Sequence, residues 1–116
     1  MSEKRDINLF IQDVFECIEK INNYSSSFNN GTELKSNLQA YEAITMNFII
    51  IGEAVKNIFE QVAKDYPKIE WREIMAMRNI LVHEYWGIND NVVWGTIKKD
   101  LPELKRIITR IQNSLK

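Results

Sequence analysis

From Leu34 to Tyr66 the chain contains no proline and places Leu38, Tyr41, Ile44, Phe48, Ile51, Val55, Ile58 and Val62 at steps of three and four. That spacing lays one apolar stripe along an α-helix, whereas a half-buried strand would alternate at every residue. A helix of about thirty residues is long for a small domain, so a bend is expected. Gly52 is its weakest point, because glycine costs ~1 kcal/mol relative to alanine inside a helix. Pro67 closes the segment, since the residue before a proline is pushed out of helical backbone.

The flanking segments read the same way. Ile7, Phe10, Ile11, Val14, Ile18 and Ile21 predict a first helix over about residues 5–24. Ser25 to Thr32, rich in serine and asparagine with one glycine, reads as a loop. A third helix is predicted from Glu70-Trp71 through Met75 and Met77 to about His83. The stretch Glu84 to Asp90 reads as a turn, with Gly87 as the helix stop. Asp90 is placed to cap a short helix carrying Val93, Trp94 and Ile97. Asp100 with Pro102 looks like the cap and first turn of a last helix burying Leu104, Ile107, Ile108, Ile111 and Leu115. The predicted fold is all-α, an up-and-down bundle of four to five helices.

Length and composition narrow the functional classes. The 116 residues predict a single domain over 1–116. One cysteine, Cys17, excludes an internal disulfide and a cysteine zinc site, and is expected as a small buried residue. One histidine, His83, excludes a multi-histidine metal site within a single copy, and no metal or cofactor is expected. No apolar run is long enough to span a bilayer. The charged start, Met-Ser-Glu-Lys-Arg-Asp, has no leader-like apolar core, so a cytoplasmic protein is expected. With a net charge of −1, any RNA contact should be local rather than spread over the surface. Within the long helix, Phe48-Ile49-Ile50-Ile51 is apolar all round. One face of such a run buries within its own chain; the second predicts another copy as its cover, or other helices of the same chain.

Chemistry concentrates in Met77-Arg78-Asn79-Ile80-Leu81-Val82-His83-Glu84-Tyr85-Trp86-Gly87. Arg78 can hold a phosphate by its fork of donors. His83 can give or take a proton near neutrality, and Tyr85 adds a hydroxyl. These are the parts for metal-free cleavage of an RNA phosphodiester, in which a cation stabilises charge building on phosphate. Along an ideal helix, five residues turn the side chain by ~500°, leaving Arg78 and His83 about 140° apart. A loosened helix end or a second copy would bring them together, and two copies would also supply two imidazoles. Each residue has a plainer reading as well. Arg78 could pair with Glu73 or Glu84, His83 could answer a helix dipole, and Tyr85 could pack as a turn aromatic.

The segment Arg78 to Tyr85 resembles the R-x-x-x-x-H-x-Y motif of the HepT-like toxins of the HEPN superfamily, ribonuclease partners of MNT-type nucleotidyltransferase antitoxins. Three further blocks resemble the family in order: Ile50-Ile51-Gly52-Glu53-Ala54-Val55-Lys56, Tyr66 to Ile74, and Val93-Trp94 with Asp100-Leu101-Pro102-Glu103-Leu104. The likeness is strong over about residues 40–115. It implies a homodimeric HEPN-like bundle with the motif lining a cleft between protomers. It also implies metal-independent endoribonuclease activity leaving a 2′,3′-cyclic phosphate, in a type II toxin–antitoxin pair. Arg78 and His83 are then the catalytic pair. Apart from the resemblance, Glu53 and Asn79 are candidate supporting residues, and Glu53 could equally serve as a buried cap or salt-bridge partner. Tyr85 matches the tyrosine that the antitoxin modifies with AMP, which would put negative charge where RNA phosphate should lie. Met46 stands where the family often has arginine, Ile49 where it has an acid, and Glu42 where aspartate is common. The rival expectation is a non-catalytic helical module that binds a nucleotide or docks the nucleotidyltransferase. A bare dimerisation domain comes third.

Overall fold

A computed structural model describes residues 6–69, 71–79 and 90–115. Of Glu73, Ile74, Met77, Arg78, Asp90 and Val92 only the backbone is described. The described residues form helices α1 (Ile7–Ser25), α2 (Gly31–Ser36), α3 (Leu38–Val62), α4 (Trp71–Asn79), α5 (Asp90–Gly95) and α6 (Leu101–Ser114). A π-helical turn, Thr96–Asp100, joins α5 to α6. Four of the helices are long enough to build the bundle, and the six-residue α2 and α5 brace it. The all-α expectation holds.

The packing follows from the apolar stripes. α1 lies between α3 and α6, and α3 also receives α2 and α4. A second route closes the ring: α2 meets α5, α5 leads into the π turn, and the turn runs on into α6. Inside sit Ile11, Val14, Ile18 and Ile21 of α1, Ile44, Phe48, Ile51, Val55 and Ile58 of α3, and Leu104, Ile107, Ile108 and Ile111 of α6, all nearly or fully buried. Leu34, Val93, Ile97 and Leu101 seal the second route. Cys17 is buried as expected, and burial pushes its thiol pKa up.

The long helix departs from its predicted start. The pattern from Leu34 splits at Asn37, whose backbone is extended (φ −102°, ψ 93°) and whose side chain accepts the N–H of Ala40 at 3.1 Å. Asparagine competes for backbone donors and favours a cap over a helix interior. Leu34 therefore belongs to α2, itself capped by Asn30 on the N–H of Glu33 at 2.9 Å. Leu38 becomes the first residue of α3 and is 65% exposed instead of lying in the core stripe. α3 then runs unbroken through Gly52 and ends at Val62, ahead of Pro67.

The last helix also starts differently. Asp100 makes no side-chain capping bond, because helical backbone runs through it from the π turn into α6. The N–H of Leu101 donates to the carbonyl of Thr96, a five-residue spacing that widens the helix by one residue. Pro102 follows directly. It lacks an N–H and crowds the preceding turn of a regular helix, and the wider turn relieves that conflict. The predicted stop at Gly87 and the stretch from Ile80 to Asn89 lie outside the described residues.

Two substitutions separate these helix starts. Asn37→Ala should cost about 1 kcal/mol in urea unfolding, the usual value of a lost cap. Asp100→Ala should change stability by less than ~0.5 kcal/mol. Equal losses would show that Asp100 caps after all.

Candidate functional site

α4 reaches the motif from a fixed starting point. The indole N–H of Trp71 donates to the carbonyl of Tyr66 at 2.7 Å. The same ring meets Phe59 of α3 edge-on, with centroids 5.5 Å apart and planes at 74°. Both aromatics are half-buried. The short connection 63–70 folds α4 back along α3. From that fixed point α4 carries Arg78 seven residues further along its own axis, about 10 Å at 1.5 Å per residue.

The predicted site residues divide accordingly. Arg78 and Asn79 occupy the last two positions of α4. Asn79 is exposed, and Glu53 is exposed on α3. The carbonyl of Glu53 accepts from Asn57 Nδ2 at 2.8 Å. Arg78 and Asn79 thus lie on a helix that packs on α3, the helix that carries Glu53. His83 and Tyr85 lie outside the described residues.

α3 also carries an uncovered apolar row. Leu38, Met46 and Ile50 lie at multiples of four residues and are 65%, 58% and 41% exposed. Ile49 beside them is half-buried against the core. Of the all-apolar run, Phe48 and Ile51 are buried inside the chain, so its second face is only partly covered. Glu42 and Glu53 stand exposed on the same side of α3.

A second group of polar side chains lies on the π turn and α6. Lys98 Nζ sits 4.7 Å from the ring centroid of Trp94, one α-helical turn earlier. The spacing of four between an aromatic and a lysine is a sequence signal for this contact. Arg106 donates to both carboxyl oxygens of Glu103, at 2.5 and 3.1 Å, and this pairing holds the Glu103 carboxyl below its usual range. Among the described residues, no helix is long and apolar enough to cross a membrane.

A small all-α domain with an arginine at the end of a short helix packed on a long one is the class that the geometry defines. A family model described as Ribonuclease HepT-like matches residues 14–111. "Putative RNase MJ1216" of Methanocaldococcus jannaschii is 34% identical over 108 residues, covering 93% of this chain and 88% of that protein. "Putative RNase MJ0125" of the same organism is 33% identical over 112 residues, covering 97% and 96%. "Probable ribonuclease HepT" of Thermococcus cleftensis is 35% identical over 102 residues, covering 88% and 92%. No solved structure matches the chain. The chain belongs to the HepT-like ribonuclease family, as the four sequence blocks implied.

The Glu103–Arg106 pair has a defined pH signature. A depressed carboxylate pKa means that pairing adds stability above the normal carboxylate range and loses it as pH falls through the lowered value. Both side chains are 49% exposed, so salt screens the pair. Glu103→Gln should melt slightly below the native chain at pH 7, and the gap should close in acid and in high salt. A gap that persists in acid would show that the carboxylate charge is not its source.

Proposed function

We propose that this protein is a metal-independent endoribonuclease toxin whose active site is completed by a second copy of the chain. Membership of a ribonuclease family is the observation that carries the reading. In the proposed reaction an imidazole of His83 takes the proton of a ribose 2′-OH. The 2′-oxygen attacks the adjacent phosphorus, and the bond from phosphorus to the 5′-oxygen breaks. A second proton donor, the partner copy's imidazole, protonates the leaving oxygen. The products are a 2′,3′-cyclic phosphate and a 5′-hydroxyl. Arg78 stabilises the charge that builds on the phosphoryl oxygens. Glu53 and Asn79 serve as supporting residues that orient it.

Dimerisation explains how one histidine per chain supplies both an acid and a base. Met46 and Ile50 are exposed on α3, the helix on which α4 packs, with Ile49 half-buried beside them. A second copy seated on that row would cover apolar surface that the single chain leaves in water. The antitoxin of the pair is a nucleotidyltransferase that transfers AMP to Tyr85. The adduct places negative charge and bulk in the path of RNA phosphate. Such a pair acts in the cytoplasm.

One observation favours a second reading. Met46 is an exposed thioether at a position where a cation would help hold phosphate, which suits a module that binds its partner without cutting RNA.

Three experiments test the proposal. The purified chain should cut RNA in EDTA, and His83→Ala should lower the rate at least ~100-fold, the usual effect of losing a general base. Equal, negligible cutting by both, with nucleotidyltransferase binding intact, would favour the docking module. The double variant Met46→Glu/Ile50→Glu should halve the mass in solution and lose cleavage while staying helical. A cleaving monomer would refute the shared site. Co-expression with the nucleotidyltransferase should add AMP to the intact mass in the native chain and not in Tyr85→Phe.

A further inference from the structure

The positive charge of this acidic chain is unevenly placed. Between Thr96 and Leu115 there are five cations, Lys98, Lys99, Lys105, Arg106 and Arg110, against two acids, Asp100 and Glu103, on a chain whose net charge is −1. All five cations are exposed along the outer side of the π turn and α6. The inner side is taken up by Ile97, Leu101, Leu104, Ile107, Ile108 and Ile111, all buried. Glu103 is occupied by Arg106. Among the described residues, Lys98, Lys99 and Lys105 form no ion pair. The two lysines of the π turn, the Lys105–Arg106 step and Arg110 succeed one another over about 17 Å of helix. That length equals about five phosphate steps of a stacked strand at ~3.4 Å each.

Both ends of this row are furnished for a nucleic acid. At one end Lys98 lies over the half-buried ring of Trp94, a cation and an aromatic face of the kind on which an unpaired base stacks. At the other end Arg110 and Lys68 border a cavity of about 410 Å³, two cations against the one carboxylate of Asp65, with Tyr66 and Ser114. Tyr66 is pinned there, its hydroxyl donating to the carbonyl of Ser114 at 3.4 Å. The row offers no large apolar side chain for insertion into lipid, since those of α6 face the core.

We infer that the outer face of the π turn and α6 is a track for single-stranded RNA, running from Trp94 and Lys98 through Lys105 and Arg106 to Arg110 and Lys68. The inference rests on the proposed ribonuclease reading for the identity of the polyanion. It adds where the strand is held away from Arg78 and His83. His83 is seven residues before Asp90, so at most ~25 Å of extended chain separates it from the start of α5. A strand that is cut at the motif can therefore continue onto the track. Local binding of this kind reconciles RNA affinity with a net negative protein.

The test uses the full chain carrying His83→Ala, so that a fluorescein-labelled single-stranded 20-nucleotide RNA stays intact, with anisotropy read from 50 to 200 mM salt. Lys98→Glu/Lys99→Glu/Lys105→Glu/Arg110→Glu in that background should bind at least tenfold more weakly. Its log–log salt slope should be shallower by about 3, at ~0.7 per phosphate contact on a single strand. The control Lys20→Glu/Lys35→Glu, on α1 and α2, should match the parent, and circular dichroism should confirm helix in every variant. Binding within twofold of the parent at an unchanged slope overturns the track. So does RNA binding that survives while nucleotidyltransferase binding is lost, which would assign the face to an acidic protein. With His83 restored, a quadruple variant that cuts RNA with native KM sinks the track and leaves the nuclease standing. Track-dependent RNA binding by a native chain that cuts nothing leaves the track and removes the nuclease.

Discussion

The burial of α1 between α3 and α6 is the constraint on which the rest of the bundle depends. Ile11, Val14, Ile18 and Ile21 have no other place to go, and α3 and α6 each contribute a matching row. Each fully buried isoleucine or valine is worth roughly 1.5–3 kcal/mol relative to water, before the entropy of ordering is charged against it. Set in place by this layer, α3 offers its remaining sides to α2 and α4. The motif helix is therefore held on the framework by α3 and is pinned at its first turn by Trp71.

Much of this was legible in the spacing of apolar residues. Helical steps marked α1, α3 and α6, and Cys17 belonged beside the first stripe. What the spacing could not show was competition for backbone hydrogen bonds. Asn37 interrupts a stripe that reads as continuous because its side chain takes the N–H of Ala40, which moves Leu38 into solvent. Asp100 and Pro102 look like a helix start, yet a π turn ends at Asp100 and the helical backbone runs on into α6, with Pro102 in its first turn, the wider turn relieving the crowding that proline creates. The paired aromatics Phe59 and Trp71, on consecutive helices, could not be matched from periodicity alone.

The site divides in the same manner. The motif Arg78 to Tyr85 stood out by its residue types, and its meaning came from the resemblance that membership of the HepT-like family now supports. That Arg78 stands at the end of a helix packed on α3 follows from the fold. The row Leu38, Met46 and Ile50 shows which face of the apolar run is left over, a distinction that the sequence run itself did not make. Charge is unevenly placed along the fold, with five exposed cations against two acids on the π turn and α6 of a chain whose net charge is −1.

The chemistry of the cut ends tests the central claim most directly. RNA fragments made by the purified protein in EDTA should carry 2′,3′-cyclic phosphate and 5′-hydroxyl termini, the products of attack by the neighbouring 2′-oxygen. Fragments ending in 3′-hydroxyl and 5′-phosphate, formed only when a divalent metal is restored, would contradict the account.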